Sequence, residues 1–428
     1  MSTRQDIEEE LLSRRVFGEF VRPSYEDYCL SNVHSTILSL FGEHASRPII
    51  PKQALAAEGQ PEKVVLIVAD GLGYYNAKAS LNDGGFFEAV ASRGDLVPIT
   101  SVFPSTTAAA LTTLSTGLTP QEHGLPEWFV YMKEIDRVIA TLPFSEVGDR
   151  RRDKLIGTLN VRALFSGARV YSALRSHGID AVSFVERGLS KTAYSKLSLR
   201  GSEVVPYITS SDLMATLRRR IEKTKRRTLF YVYWEKVDTT GHTYGPGSEE
   251  SRSEVSLLSH VLKTELVGKL SRMAASESFV MLTADHGQVP VEADSTIYLN
   301  GMRPVMKGLN LSPGGKRIPP WGSARDAYLS VKKDSLENVR AYLARKLGRT
   351  AVVLKSAEAL EAGLFGINKP LPSFVDRVGN LMVLPRGRNL VWYRYARSDR
   401  FDLRGHHGGM NPREMLIPLA TSRVSSLR

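Results

Sequence analysis

The chain contains three short apolar runs, and a carboxylate follows each of them. They cover residues 64–69, 228–234 and 278–284 and lead to Asp70, Asp238 and Asp285. Apolar runs without polar alternation are typical of strands buried on both faces. Helical patterns lie between the runs, for example at 211–220 and 257–273. This order predicts an α/β fold with a mostly parallel central sheet covered by helices on both faces.

The pattern differs at both sides of this core. Residues 1–60 predict a helical N-terminal preface packed on the core. Residues 296–395 alternate Gly- and Pro-rich loops with short apolar runs, which predicts a small α+β insertion or cap. The core itself is assigned to 61–295 and 396–428. Within the insertion we predict strands at 327–331, 351–354 and 381–384, and a helix at 335–347.

The composition indicates which partners and which cellular compartment suit the protein. The net charge of +12 suits anionic partners, although a solvated basic surface explains it equally well. The single cysteine, Cys29, excludes an internal disulfide, and the polar N-terminus does not resemble a signal peptide. No apolar run approaches the roughly 20 residues of a membrane helix. We therefore expect a cytoplasmic protein without membrane contact; its oligomeric state is left open.

The three strand-end aspartates predict a metal site. In open α/β sheets, ligands bind at the carboxyl ends of the strands, so these carboxylates are expected to converge. His242 lies four residues after Asp238, and His286 directly follows Asp285. Each aspartate alone is more often a turn or a helix cap. Three of them in order, two with an imidazole, favour a divalent-ion site.

Two further segments carry candidate chemistry. Residues 103–117 place Ser105, Thr106 and Thr107 before an Ala/Leu-rich run, where a helix is expected to begin. A hydroxyl at a helix N-terminus meets free N–H groups that bind phosphate, although such residues also serve simply as caps. Near the C-terminus, His406 and His407 lie between glycines, either as metal ligands or as part of a surface loop.

Together these motifs resemble the alkaline phosphatase superfamily, and among its branches the nucleotide pyrophosphatase/phosphodiesterases. The similarity covers residues 61–125, 228–290 and 400–420. It includes the Phe-Pro start and Thr-Gly end of the 103–117 segment, followed by Pro120 and His123-Gly124.

The resemblance implies an alkaline phosphatase-like core, a nucleophile and two metal sites. The nucleophile is expected at Thr107, with Thr106 as the alternative. One metal site is expected at Asp70, Thr107, Asp285 and His286. The other is expected at Asp238, His242 and His407, with His406 as the competitor of His407. We expect two divalent ions about 4 Å apart, zinc first and Mn, Fe or Mg as alternatives.

The implied function is metal-dependent phosphoryl transfer. We expect a phosphodiesterase or nucleotide pyrophosphatase acting on a small anionic phosphate ester, with a nucleotide as one candidate, through a covalent phosphothreonine. A phosphomonoesterase, phosphonate hydrolase or phosphotransferase on the same core is the alternative. Ala110 lies three residues after Thr107 on the predicted helix. Its side chain offers no polar contact to a phosphoryl oxygen, so the preference for diester or monoester substrates is left open.

Two predictions concern the surroundings of the site. Aromatic residues near the motifs are candidate substrate contacts, although most such residues are ordinary packing: Tyr74, Tyr75, Trp128 and Tyr244, with Phe129 beside Trp128. A nucleic-acid-binding protein is the alternative from another class. Its evidence is the basic run 218–227, which is more often a solvated helix face.

Overall fold

The computed structural model describes residues 4–56, 59–149, 151–396 and 401–428. The strands are β1 Arg15–Val16, β2 Phe20–Val21, β3 Lys63–Ala69, β4 Asp95–Thr100, β5 Phe129–Met132, β6 Arg137–Ala140, β7 Ser145–Glu146, β8 Asp180–Glu186, β9 Glu203–Tyr207, β10 Thr228–Trp234, β11 Ser278–Thr283, β12 Val289–Pro290, β13 Ile297–Tyr298, β14 Trp321–Gly322, β15 Ala327–Leu329, β16 Ala351–Lys355, β17 Leu381–Pro385, β18 Val391–Trp392, β19 Gly405–His406 and β20 Leu416–Arg423.

The helices cover both the core and its additions. They are α1 Arg4–Ser13, α2 Val33–Leu40, α3 Tyr74–Ala79, α4 Phe86–Arg93, α5 Thr107–Thr116, α6 Pro120–His123, α7 Val170–Ser176, α8 Ala193–Ser198, α9 Ser210–Lys223, α10 Lys236–Tyr244, α11 Glu249–Val261, α12 Arg272–Glu277, α13 Arg303–Gly308, α14 Leu336–Leu347, α15 Ser356–Glu361, α16 Pro372–Arg377 and α17 Pro412–Met415. Among the described residues, none of these helices combines the length and the apolar character that crossing a bilayer requires.

The main sheet has seven strands in the order β4-β20-β11-β3-β10-β8-β9. The strands from β11 to β9 pair in parallel, whereas β20 is antiparallel to both of its neighbours. Every residue of β3, β10 and β11 is buried. Because successive side chains point to opposite faces of a sheet, this burial means that both faces are covered. The α/β prediction is confirmed, and the three predicted strands occupy the centre of the sheet.

A second seven-stranded sheet follows the order β16-β17-β15-β14-β5-β6-β7. The strands predicted near 327, 351 and 381 are β15, β16 and β17. However, β5–β7 come from residues 129–146, which the sequence pattern assigned to the core. They join through the pairing of Gly322 with Phe129. Residues 296–395 therefore supply strands β14–β17 of this sheet, and residues 129–146, which follow α5, supply the others. The sequence pattern does not predict this pairing, because hydrogen bonds between distant strands leave no periodic signal in either segment.

The N-terminal segment is only partly helical. Between α1 and α2 lies the β1–β2 hairpin, and α1 packs against β4 of the main sheet. Its apolar side chains Ile7 and Leu11 are buried in the main hydrophobic core. The preface therefore covers an edge of the core, although its fold is a mixture of helix and hairpin.

A buried ion pair connects the second sheet to the C-terminal part of the core. Arg325 Nε lies 2.9 Å and Nη2 2.8 Å from the two carboxylate oxygens of Glu414, and both residues are fully buried. The same carboxylate accepts the backbone N–H groups of Gly409 and Asn411. This bidentate contact holds the loop that carries His406 and His407 against the second sheet.

We expect Arg325→Met to lower the free energy of unfolding by about 3–5 kcal/mol, because Glu414 would remain as a buried charge without a counter-ion. Urea denaturation of the purified proteins measures this difference. The matched control is Arg220→Met, which removes an exposed ion pair with Glu203 and is expected to cost less than about 1 kcal/mol. Equal losses in the two variants would show that the buried pair has no special role.

Candidate active site

The predicted ligands meet at one edge of the main sheet. Asp70 directly follows β3, which lies between β10 and β11. Asp238 and His242 lie one turn apart on α10, the helix that follows β10. Asp285 and His286 follow β11. The carboxyl ends of three adjacent parallel strands therefore bring these five residues together, as the strand-end argument predicts.

The first group is built around His286. Its Nε2 atom lies 3.5 Å from Asp70 Oδ1 and 3.3 Å from Asp285 Oδ2. Thr107 Oγ1 lies 3.1 Å from the same nitrogen. All four side chains are buried. The structure thus places the predicted nucleophile against the carboxylates and the imidazole of the first predicted metal site.

The second group is built around Asp238. Its Oδ1 atom lies 3.4 Å from His242 Nε2 and 3.8 Å from His407 Nε2. The rings of His286 and His407 stack with their centroids 3.5 Å apart, which joins the two groups. His406 also lies close, since one ring nitrogen each from His242, His406 and His407 fall within 4.8 Å of one another.

The donor set fits divalent metal ions. Asp70 Oδ1 and Asp285 Oδ2 are buried and have no hydrogen-bond partner among the described residues. Burial, followed by the charge of Asp285, raises the pKa of Asp70 well above its usual range. Buried carboxylate oxygens without partners are costly unless a cation compensates them. Carboxylates combined with imidazoles suit zinc and related ions.

Backbone groups orient the imidazoles. His242 Nδ1 lies 2.8 Å from the Gly405 carbonyl oxygen, and His407 Nδ1 lies 3.1 Å from the Ser105 carbonyl oxygen. These contacts leave Nε2 of each ring facing Asp238. Burial, followed by the proximity of His286, holds the pKa of His407 well below its usual range. His407 is therefore neutral, as a metal-binding imidazole must be.

The carboxylates are held in the same way by donors behind them. Asp285 Oδ1 accepts the N–H groups of Gly71 at 3.0 Å and of His286 at 2.9 Å. Tyr233 donates its hydroxyl to Asp70, and Gln288 donates its amide to Asp238. Such outer contacts fix the orientation of metal-binding oxygens.

Contacts of Ser105 hold the loop that carries the predicted nucleophile next to the predicted metal ligands. Thr107 is the first residue of α5, so its hydroxyl lies where the helix presents free N–H groups. Ser105 donates its hydroxyl to the Gly409 carbonyl oxygen at 2.6 Å and pairs with Gly408. Thr106 faces the Glu127 carboxyl group. Of the two neighbouring threonines, Thr107 contacts the metal-ligand cluster.

Two cavities meet at this cluster, and both are lined by Thr107, Trp128 and Asp238. Cavity A has a volume of about 370 Å³ and combines leucine and tyrosine side chains with charged and hydroxyl groups; its apolar and aromatic walls include Leu111, Leu114, Tyr171, Tyr194, Tyr231 and Tyr233. Cavity B has a volume of about 550 Å³ and is rich in other aromatic rings: Phe129, Trp392, Tyr395 and Phe401.

The predicted substrate contacts separate into two sets. Trp128 stands between the two cavities. Tyr74 is buried beside the N-terminal helix, Tyr75 lies near Arg413, and Tyr244 is 46% exposed at the end of α10; none of the three lines cavity A or cavity B. Ala110 is buried in the main core and likewise lines neither cavity.

Sequence reasoning missed a buried acid pair beside the nucleophile loop. Glu127 Oε1 and Asp326 Oδ2 have no hydrogen-bond partner among the described residues, and both side chains are fully buried. Burial raises the pKa of Glu127 to about 7 and that of Asp326 well above its usual range. Because neither residue follows a predicted strand of the main sheet, no sequence signal connects the two.

Comparison with known proteins agrees with this geometry. The family model for type I phosphodiesterases / nucleotide pyrophosphatases matches residues 64–410. A venom phosphodiesterase of Crotalus durissus collilineatus is 24% identical over 203 residues, which span 46% of this chain and 23% of that protein. Human bis(5'-adenosyl)-triphosphatase ENPP4 is 35% identical over 74 residues, 17% of this chain and 16% of that protein.

Solved structures support the fold. Murine ectonucleotide pyrophosphatase/phosphodiesterase 5, in an inactive form in complex with AMP, superposes with a TM-score of 0.62 at 19% identity, covering 84% of this chain and 87% of that chain. The curated relatives are matched over less than a quarter of their length. The family model, in contrast, spans Thr107, both groups of predicted ligands and the second sheet. The chain belongs to the type I phosphodiesterase / nucleotide pyrophosphatase family, within the alkaline phosphatase superfamily.

Proposed function

We propose that the protein is a metal-dependent phosphodiesterase or nucleotide pyrophosphatase. One observation carries this proposal: Thr107 lies where cavity A and cavity B meet. A phosphodiester has a substituent on each side of its phosphorus atom, and each cavity has room for one. A monoester would leave one of the two cavities without a ligand. The geometry therefore favours a diester over the phosphomonoesterase alternative.

The ligand sets follow from the two groups of side chains. Asp70, Thr107, Asp285 and His286 would hold one ion; Asp238, His242 and His407 would hold the other. His406 remains the competitor in the second set, since its ring lies beside His242 and His407. Divalent ions in such a pair lower the pKa of a bound hydroxyl and neutralise phosphoryl charge. Zinc suits this mixture of carboxylate and imidazole donors best.

Thr107 performs the covalent step. The Thr107 hydroxyl gives its proton to solvent, and its Oγ1 atom forms a bond to phosphorus. The bond to the leaving oxygen breaks on the opposite side, and that oxygen keeps the electron pair and takes up a proton. Water then attacks the phosphothreonine, which still carries the other substituent; the bond to Oγ1 breaks, one proton of the water restores the Thr107 hydroxyl, and the product is a phosphomonoester. The position of Thr107 at the start of α5 adds the N-terminal N–H groups of the helix to the stabilisation of the phosphoryl oxygens.

Cavity B suits a nucleoside. Its rings, including Trp128, Phe129 and Trp392, offer flat apolar surfaces to a base. A relative with a solved structure binds AMP, which is consistent with a nucleotide substrate here. We also retain the cytoplasm as the proposed compartment, since the single cysteine, Cys29, is a buried free thiol.

The experiment that tests the function compares bis-p-nitrophenyl phosphate with p-nitrophenyl phosphate. After removal of metal with a chelator and reconstitution with zinc, we expect kcat/KM for the diester to exceed that for the monoester by at least about 10-fold, a difference of about 1.4 kcal/mol in transition-state binding. Parallel reconstitution with Mn, Fe or Mg identifies the most effective ion. A preference for the monoester would favour the alternative and contradict the proposal.

A further inference from the structure

The net positive charge of the protein is concentrated in residues 150–200, a segment that contributes walls to cavity A. Residues 150–200 contain eleven Lys/Arg and three Asp/Glu, a net charge of +8 out of +12 for the whole chain. The basic run 218–227 has a higher density of Lys and Arg in the sequence. However, Arg218, Arg220, Arg226 and Arg227 in that run form ion pairs with carboxylates elsewhere in the protein.

Helix α8 places part of this charge next to cavity A. It packs against α5, the helix that begins at Thr107, and against the segment around Arg162. One face of α8 lines cavity A through Tyr194, Ser195 and Ser198. Its other face lines an open surface groove, which we call the basic groove, through Lys196 and Leu197. A single helix thus separates the reaction site from the groove.

The basic groove combines three cations with an apolar floor. Arg162, Lys196 and Arg200 line it and are exposed. None of the three takes part in an ion pair within the part of the chain that the structure describes. Ile156, 64% exposed, contributes apolar surface. A positively charged groove that follows the backbone is one feature of surfaces that bind a single-stranded nucleic acid.

The charged side chains that line cavity A indicate where a longer substrate would place its other phosphates. The cavity walls include the carboxylates of Glu186 and Glu235, and Lys236 lies 2.9 Å from Glu235. The carboxylate of Glu186, which forms no ion pair among the described residues, disfavours a second phosphate within the cavity, whereas the tyrosines suit a sugar or a base. Arg152 is an exposed cation among the cavity-lining residues. Phosphates beyond the scissile one are therefore expected outside cavity A.

We propose that the basic groove binds the phosphates of a single-stranded oligonucleotide whose scissile diester lies at Thr107. This inference rests on the proposed function. A helix with its side chains is about 10 Å wide, so a substrate must extend past α8 to reach Arg162, Lys196 and Arg200. A small aryl diester such as bis-p-nitrophenyl phosphate is too short for this span. The groove is therefore a specificity surface for long substrates.

The test uses two matched triple variants. Arg162→Gln/Lys196→Gln/Arg200→Gln removes three charges from the groove. The control Arg219→Gln/Lys223→Gln/Lys225→Gln removes three exposed charges from α9 and the turn after it, residues that line neither cavity nor the groove. The substrates are bis-p-nitrophenyl phosphate and a single-stranded DNA of about 12 nucleotides, within the site size of one domain.

We expect the ratio of kcat/KM for the DNA to kcat/KM for the small diester to fall at least 10-fold in the groove variant. The control variant should keep the wild-type ratio. An unchanged ratio in the groove variant, or an equal fall in both variants, would overturn the proposal, because the first shows no contact and the second shows only the effect of net charge.

A binding measurement separates this proposal from the proposed function. Each triple variant is combined with Thr107→Ala, and the Kd for the DNA is measured between about 50 and 200 mM salt. We expect a smaller salt dependence with the groove substitutions than with the control substitutions, since each lost phosphate contact lowers the slope by about 0.7 for a single strand. Equal slopes would overturn the groove. A wild-type protein inactive on the small diester would instead contradict the proposed function.

Discussion

Thr107→Ala is expected to lower kcat for a phosphodiester by at least about 10⁴-fold, because loss of a covalent nucleophile removes the reaction path itself. Metal content should remain at two ions per chain, since three protein ligands of the first site and all of the second remain. Turnover of bis-p-nitrophenyl phosphate and metal analysis of the purified variant measure the two quantities.

The neighbouring Thr106→Ala is the matched control for Thr107. Its hydroxyl faces Glu127 and not the metal-ligand cluster. We expect this variant to keep kcat within about 10-fold of wild type, the size of one lost hydrogen bond. The reverse result, an active Thr107→Ala and an inactive Thr106→Ala, would move the nucleophile to the adjacent residue. Full activity of both variants would exclude a covalent phosphothreonine.

Asp285→Asn is expected to have opposite effects on the metal-loaded and metal-free proteins. With metal, the variant should lose the ion of the first site and at least about 10³-fold in kcat/KM, because Asp285 Oδ2 would no longer be a charged ligand. Without metal, we expect it to be more stable than wild type by about 1–3 kcal/mol. The reason is that the buried carboxylates of Asp70 and Asp285 and the half-buried carboxylate of Asp238 repel one another when no cation separates them.

The stability of the metal-free protein is expected to depend on pH, and the direction follows from the pKa of Asp70. Burial, followed by the charge of Asp285, raises the pKa of Asp70 in the folded state. A raised pKa contributes stability that is present below the unfolded value, 3.8, and is lost as pH rises through the folded value. The stability advantage of Asp285→Asn should therefore grow from acidic towards neutral pH.

Urea denaturation of chelator-treated wild type and Asp285→Asn, at several pH values, measures the difference. Asp180→Asn is the control, since Asp180 is an exposed carboxylate paired with Arg226. It should change the free energy of unfolding by less than about 1 kcal/mol and leave metal content unchanged. A metal-free Asp285→Asn protein less stable than wild type would show that the carboxylates do not repel one another.

Much of the fold and of the site was predictable because the signals are local. The strand at 228–234 and the helix at 335–347 agree with β10 and α14 within one residue. Asp70, Asp238 and Asp285 each follow an apolar strand, so their convergence required only that the strands be parallel and adjacent. Thr107 was likewise marked by its place before a helix-forming run.

Other features have no local signal. The sheet shared by residues 129–146 and 321–385 depends on hydrogen bonds between strands far apart in sequence. Glu127 and Asp326 are brought together by that same pairing. The exposed tyrosine Tyr244 shows the reverse error, since proximity to a motif in sequence does not place a side chain inside a cavity.

The sequence by itself determined the class of fold, the aspartates and histidines that meet at the sheet edge, and the helix that presents Thr107. Those properties follow from hydrophobic periodicity and from the geometry of parallel strands, which act over a few residues. Only the tertiary structure decided which threonine contacts His286, that two cavities flank it, and that α8 separates cavity A from the basic groove. These depend on contacts between segments that are distant in sequence, where packing and not local pattern determines which side chains meet.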